Sequence, residues 1–214
     1  MKGDVLLINE NHRKAARQIM DILSDAIAGT EGKYVITVAG ESGAGKSEIA
    51  ASLAEELTKN GFPAYVFQQD DYFVLPPRSN AEKRREDISW VGPQEVRLDL
   101  LDENLSEAVK GTETIVKPLV DFNADSIGEE KVSLSGTKVL IAEGTYTTLL
   151  DNANSRIFID RNIHDTRESR KTRAREAQDD FLEEILSIEH KIISQHKDLA
   201  DLIVTRSFDI EIQS

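Results

Sequence analysis

GESGAGKS, residues Gly40 to Ser47, is a complete GxxxxGK[ST] phosphate loop. It stands between an apolar strand-like run, Tyr34 to Ala39, and a helix-like one, Glu48 to Lys59, which is the context the motif requires. Three glycines let the backbone turn its N–H groups inward around a polyphosphate, and the following helix adds its positive N-terminal dipole. Lys46 is then expected to reach the β and γ phosphates of ATP, and Ser47 to offer its hydroxyl to Mg²⁺. Gly40, Ser42, Gly43, Ala44, Gly45 and Glu48 complete the expected nucleotide-binding turn.

Outward from this loop, strands and helices alternate. Before it, Asp4 to Ile8 reads as a short edge strand. Asn11 to Ala28 reads as a helix with its stripe at Ile19, Ile22, Leu23, Ala26 and Ile27. Residues 1–32 are thus a preface to the nucleotide core. After it, Gly61 and Pro63 punctuate the chain before a second strand, Ala64 to Gln68, which ends in Asp70 and Asp71. Beyond an irregular stretch from Leu75 to Val91, Gly92 and Pro93 open a helix to about Val109. Thr112 to Val120 and Lys131 to Leu134 read as extended segments around a polar connection, an antiparallel insertion within residues 112–136. Val139 to Ala142, Arg156 to Ile159 and Leu202 to Val204 read as further strands, and a long charged helical region within 161–195 as a lid. The fold expected is α/β: one domain over 1–214, a three-layer P-loop NTPase sandwich with a mainly parallel sheet and crossover helices. It carries the small antiparallel insertion and the helical lid.

With 39% apolar and 30% charged residues in 214, the chain has the composition of an ordinary soluble domain with a sizeable core. No apolar run approaches the length of a bilayer span, and the five-residue apolar stretch near the start is too short for a signal-peptide core. A cytoplasmic location without membrane contact is expected. A net charge of −13 opposes nucleic acid, whose binding rests on cationic neutralisation of phosphates. The absence of cysteine removes disulfides, thiolate metal sites and thiol nucleophiles.

A phosphate loop also serves GTPases, but the guanine-reading NKxD pattern is missing. The only DxxG, Asp125 to Gly128, lacks the preceding apolar strand of a GTPase switch. What the chain does have is QDDYF at residues 69–73, an acidic pair at the carboxyl end of the next strand. Phosphoryl transfer to an alcohol needs a base that takes the hydroxyl proton and holds the oxygen in line with the γ phosphate. One of Asp70 and Asp71 is expected to be that base and the other its support, since neighbours in an extended segment point to opposite sides. Glu143, which closes KVLIA before Gly144, is a candidate for orienting Mg²⁺. Arg167, Arg170 and Arg173 follow i,i+3 spacing along one helix face and suit a lid closing over phosphates; a surface helix with Glu168 and Glu176 as partners is the alternative.

GESGAGKS, QDDYF, IAEGTY and the arginine-rich stretch, in this order, resemble the uridine kinase and phosphoribulokinase family of P-loop kinases. The likeness covers nearly the whole chain from residue 33, and HKDLADLIV (196–204) is similar to the family's last strand. The resemblance implies that Asp70 rather than Asp71 matches the catalytic aspartate, and that Glu143 belongs to the family's EG motif. The family reads uridine through a pattern similar to YDFxxHxR. Here residues 120–127 are VDFNADSI, so Asp121 and Phe122 survive while Val120, Asp125 and Ile127 replace the tyrosine, histidine and arginine. Tyr72, Asp121, Phe122 and Asp70 are the expected acceptor contacts. Arg84, within the basic run after the acidic pair, is placed to hold a phosphate on the acceptor, as in the phosphoribulokinase branch.

The expected function is ATP-dependent transfer of the γ-phosphoryl group to a hydroxyl of a small metabolite, in a uridine kinase-like site, by a chain that can form a homo-oligomer. A phosphoribulokinase-like kinase of a sugar phosphate and a non-catalytic nucleotide-binding regulatory module are the two alternatives.

Overall fold

The computed structural model describes residues 6–166 and 180–213. Helix α1 (Glu10–Gly29) starts at Asn9, whose side chain accepts from the backbone N–H groups of Asn11 and His12, while His12 Nδ1 accepts from Asn9 N at 3.2 Å. This reciprocal cap satisfies donors that a helix start otherwise leaves open. The buried face of α1 is Ala15, Ala16, Ile19, Leu23 and Ile27; Ile22 and Ala26, expected on it, face outward. No strand precedes α1 among the described residues.

Strand β1 (Tyr34–Gly40) is buried along its whole length and runs through the phosphate loop into α2 (Lys46–Lys59). Strand β2 (Ala64–Gln68) then ends in a 3-10 turn, Gln69–Tyr72. Helix α3 (Pro77–Glu86) occupies the stretch read as irregular. Its sequence, PRSNAEKRRE, carries no apolar stripe, so periodicity could not reveal it; a proline at the first helical position is its one local signal. The helix expected from Gly92 begins later, as α4 (Leu98–Val109). Pro93–Glu95 is instead a separate 3-10 turn, because Val96 is extended and bridges Phe73, with Arg97 N donating to Tyr72 O at 2.8 Å.

Strands β3 (Thr114–Asp121) and β4 (Ser126–Ser133) form an antiparallel hairpin apart from the main sheet. Half of the connection read as polar, residues 126–130, is therefore part of β4, whose exposed residues are Ser126, Gly128, Glu129, Lys131 and Ser133. Strand β5 (Val139–Glu143), β6 (Ser155–Ile159), helix α5 (Asp180–Ile193), β7 (Leu202–Val204) and the unforeseen β8 (Ile210–Ile212) follow. The main sheet has the order β2-β5-β1-β6-β7-β8, parallel throughout except for the β7/β8 edge.

The sheet separates two cores because successive strand residues face opposite ways. Ile36, Val38, Ile141 and Ile157 pack under α1 and α2, while Val35, Leu140, Ala142 and Phe158 pack under α4 and the end of α5. Burial on both faces explains why the central strands read as unbroken apolar runs. The outcome is the three-layer α/β sandwich. No helix among the described residues is long and apolar enough to cross a membrane.

Candidate active site

The parallel register brings three strand ends together. Glu143, last in β5, lies between Val38 of β1 and Gln68 of β2. One strand continues into the phosphate loop and the other into the turn bearing Asp70. Within the loop Gly43 and Gly45 have φ of +75° and +101°, which side chains disfavour. A Cβ on Gly45 would also sit 3.1 Å from His12 Nε2, beneath the loop. Ala44 N donates to Glu41 O at 3.1 Å, and Arg161 donates to Ala44 O at 3.3 Å, so the turn is braced from inside and from the end of β6. Lys46 Nζ donates to Glu41 O at 3.0 Å.

Glu143 is buried, and its carboxyl is pushed up to about 7 by that burial first and by the negative charge of Asp70 second. Lys46 and a hydrogen bond from Ser47 act in the opposite direction. Asp70, Lys46 and Ser47 thus each act on Glu143. Lys46, Ser47, Asp70 and Glu143, chosen from separate motifs, are brought to one place. Two acidic groups that repel each other beside a hydroxyl form an all-oxygen set, which fits Mg²⁺ bound through carboxylate, hydroxyl and phosphate oxygens.

Asp71 points elsewhere. Its Oδ2 lies 2.7 Å from Lys117 Nζ and its Oδ1 accepts from Val120 N at 3.1 Å, so it fastens the turn to β3. Lys117, 2% exposed at its side chain, also lies 2.7 Å from Glu130 of β4. The expectation that Tyr72 touches the acceptor is corrected: its ring is wholly buried and its hydroxyl donates to Asn104 at 2.8 Å. Glu48 is buried too, and its Oε1 accepts from Leu7 N, toward the segment before α1.

On the acceptor side, Asp121 accepts from the N–H groups of Asn123 and Ala124 and so shapes the hairpin tip, next to half-buried Phe122. Asp125, at φ +51°, accepts from Arg78 N at 2.7 Å and caps α3 across the gap. Arg84 is not held open for a ligand: its Nε donates to Glu95 at 2.6 Å and its Nη2 to Glu189 at 3.4 Å. Trp90 donates its indole N–H to Asn80 at 2.8 Å and anchors its turn on α3. Arg167, Arg170 and Arg173 lie outside the described residues.

Several site residues escaped sequence reading. Lys117, Glu95 and Gln69 are buried polar groups, each with a side-chain partner 11 to 77 residues away. His190, to which no role was given, lies with its Nδ1 2.6 Å from Glu41 Oε1 in the phosphate loop, while its neighbour Glu189 holds Arg84. Helix α5 thus touches both the loop and the acceptor wall, which no local pattern announces.

Residues 35–210 match the family described as Phosphoribulokinase / Uridine kinase. The bifunctional alpha-galactosidase/sucrose kinase of Mediterraneibacter gnavus is 26% identical over 188 residues, which are 81% of this chain and 20% of that protein. A uridine kinase of Ureaplasma parvum is 28% identical over 135 residues, 61% of this chain and 64% of that one. The chain thus spans about a fifth of the first relative and just under two thirds of the second. Among solved structures, a possible uridine kinase from Bacillus stearothermophilus superposes with a TM-score of 0.63 at 20% identity, covering 87% of this chain and 97% of that one. That likeness is one of fold.

Proposed function

Because the chain belongs to the phosphoribulokinase and uridine kinase family, we propose that it transfers the γ-phosphoryl group of ATP to a hydroxyl of a small metabolite, in the manner of a uridine kinase. The observation that carries this reading is the meeting of Lys46, Ser47, Asp70 and Glu143 at the carboxyl ends of adjacent parallel strands. Ligands of open α/β sheets bind at that edge.

The backbone N–H groups of residues 42–46 and the start of α2 hold the phosphates, and Lys46 exchanges the Glu41 carbonyl for the β and γ oxygens. Ser47 and Glu143 hold Mg²⁺, which when bound supplies positive charge to the phosphate oxygens. Asp70 takes the proton from the acceptor hydroxyl as that oxygen bonds to the γ phosphorus and the bond to the β-phosphate oxygen breaks, releasing ADP. Arg167, Arg170 and Arg173 add charge over the transferring group and exclude water. Catalysis in this scheme is chiefly positioning and electrostatics.

A nucleotide-binding regulatory module needs no base, and Asp70 beside Glu143 speaks for transfer. Incubation with Mg²⁺, ATP and a panel of nucleosides and sugars, followed by ³¹P NMR, tests the reading. A new phosphate monoester formed together with ADP supports it. ATP binding without ester across the panel favours the regulatory module.

A further inference from the structure

Of the two described residues other than glycine with positive φ, Asp125 is explained by the cap it gives α3; Phe208, at φ +62°, is not. A bulky aromatic residue rarely takes this conformation, and such outliers persist where the surroundings hold them for a use. Phe208 lies in the turn 205–209 between β7 and β8. The turn is closed by Phe208 N donating to Thr205 O at 2.9 Å and Thr205 N donating to Asp209 O at 2.8 Å, and Asp209 pairs with Lys14 of α1. The phenyl ring is buried in the core beneath α1 and α2.

Two groups rest on this ring. The Arg161 guanidinium stands 5.0 Å from its centroid, and the His12 ring meets it at 70° with centroids 5.3 Å apart. Both reach the phosphate loop, at adjacent residues: Arg161 Nη1 donates to Ala44 O at 3.3 Å, and His12 Nε2 stands under Gly45, 3.1 Å from the place of a Cβ. Arg161 Nη2 donates to Asp165 O at 3.3 Å, and Arg206 of the same turn lies 3.1 Å from the Asp165 carboxylate, so the guanidinium is held at both ends. His12 is held as well, since its Nδ1 accepts from Asn9 N and its ring proton therefore sits on Nε2.

A planar trans peptide points its C=O and its N–H in opposite directions. By holding Ala44 O on the Phe208 side, Arg161 turns the Gly45 N–H to the other side, where the loop receives phosphates. We infer that Phe208 is a positioning residue for the nucleotide: through Arg161 and His12 it sets the Ala44–Gly45 peptide so that its N–H meets the phosphates. The inference rests on the kinase reading only through the binding of ATP to this loop, not through transfer.

The test measures ATP affinity, by displacement of a fluorescent ATP analogue with Mg²⁺ present, and the Gly45 amide resonance in ¹⁵N-labelled protein. In wild type the Gly45 proton should move downfield when ATP binds. Phe208→Leu keeps an apolar side chain without the ring, Phe208→Gly removes the ring and relieves the φ constraint, and Arg161→Met removes the guanidinium at a half-buried position. In each, ATP should bind about fivefold or more weakly, the scale of a lost cation–π contact, and the Gly45 shift at saturating ATP should shrink. A loss of stability alone leaves both readings of the folded protein unchanged. If the Phe208 variants fail to fold, Arg161→Met decides alone. Wild-type affinity, or an unreduced Gly45 shift, in any folded variant overturns the inference and leaves the kinase reading standing. Wild-type protein that binds no ATP defeats both.

Discussion

Gly144 and Gln69 approach so closely that a methyl group on the glycine would lie 2.2 Å from the glutamine Cβ. Gly144 N donates to Val38 O at 3.0 Å, and Gln69 Oε1 accepts from Tyr146 N at 2.7 Å. The end of β5 is thereby joined to β1 and to the turn that carries Asp70. Gly144 is at once a strand terminator and the space in which the base-bearing turn rests.

Gly144→Ala should therefore cost about 2–3 kcal/mol of stability, read by urea denaturation. Adding Gln69→Ala should not restore it, because the collision is between the two Cβ positions. Recovery in the double variant would place the strain at the amide end.

Glu143 sets a pH dependence. The folded chain keeps a proton on this carboxyl up to about pH 7, whereas the unfolded chain gives it up near 4.5. Its contribution to the stability of the ligand-free protein is full below 4.5 and is lost as pH rises toward 7, by at most on the order of 3 kcal/mol. Glu143→Gln in a chelator should raise Tm relative to wild type at pH 8 and not at pH 4.5. Mg²⁺ binding should release a proton near pH 6.5 in wild type and none in the variant, which calorimetry in two buffers detects.

Lys117→Met removes the partner of a buried carboxylate. A loss of about 3–5 kcal/mol is expected, with partial recovery when Asp71→Asn is added to remove the stranded charge. Additive losses in the double variant would contradict the pairing.

Asp125→Ala should weaken α3 by about 1 kcal/mol, the usual worth of an N-cap, although the cap comes from the hairpin. Faster hydrogen exchange at Arg78 N, with exchange in α2 unchanged, is the expected reading.

The nucleotide core was legible because its elements are locally complete. A buried parallel strand is an unbroken apolar run, and the phosphate loop carries its own backbone geometry; for these reasons β1, α2, β2, β5, β6 and β7 fell where the sequence placed them. Lys46, Ser47, Asp70 and Glu143 could be singled out as candidates because each opens, closes or directly follows such an element. The acceptor side was not legible, since polar residues there are placed by distant partners. Helix α3 has no apolar stripe, β4 (SIGEEKVS) has only Ile127 and Val132 as apolar side chains, and Tyr72 and Arg84 are turned from their expected roles by Asn104, Glu95 and Glu189. The preference for Asp70 over Asp71 came from the family resemblance alone; that Asp71 is held by Lys117, 46 residues away, no local pattern announces.

The most direct test of the central claim compares Asp70→Asn with wild type on an acceptor that the panel identifies. ATP affinity should stay within about threefold, since the phosphate loop is untouched, and kcat should fall by about 10²–10⁴, the worth of a general base. A kcat within tenfold of wild type, with ATP still bound, would contradict Asp70 as the base and remove the arrangement on which the kinase reading stands.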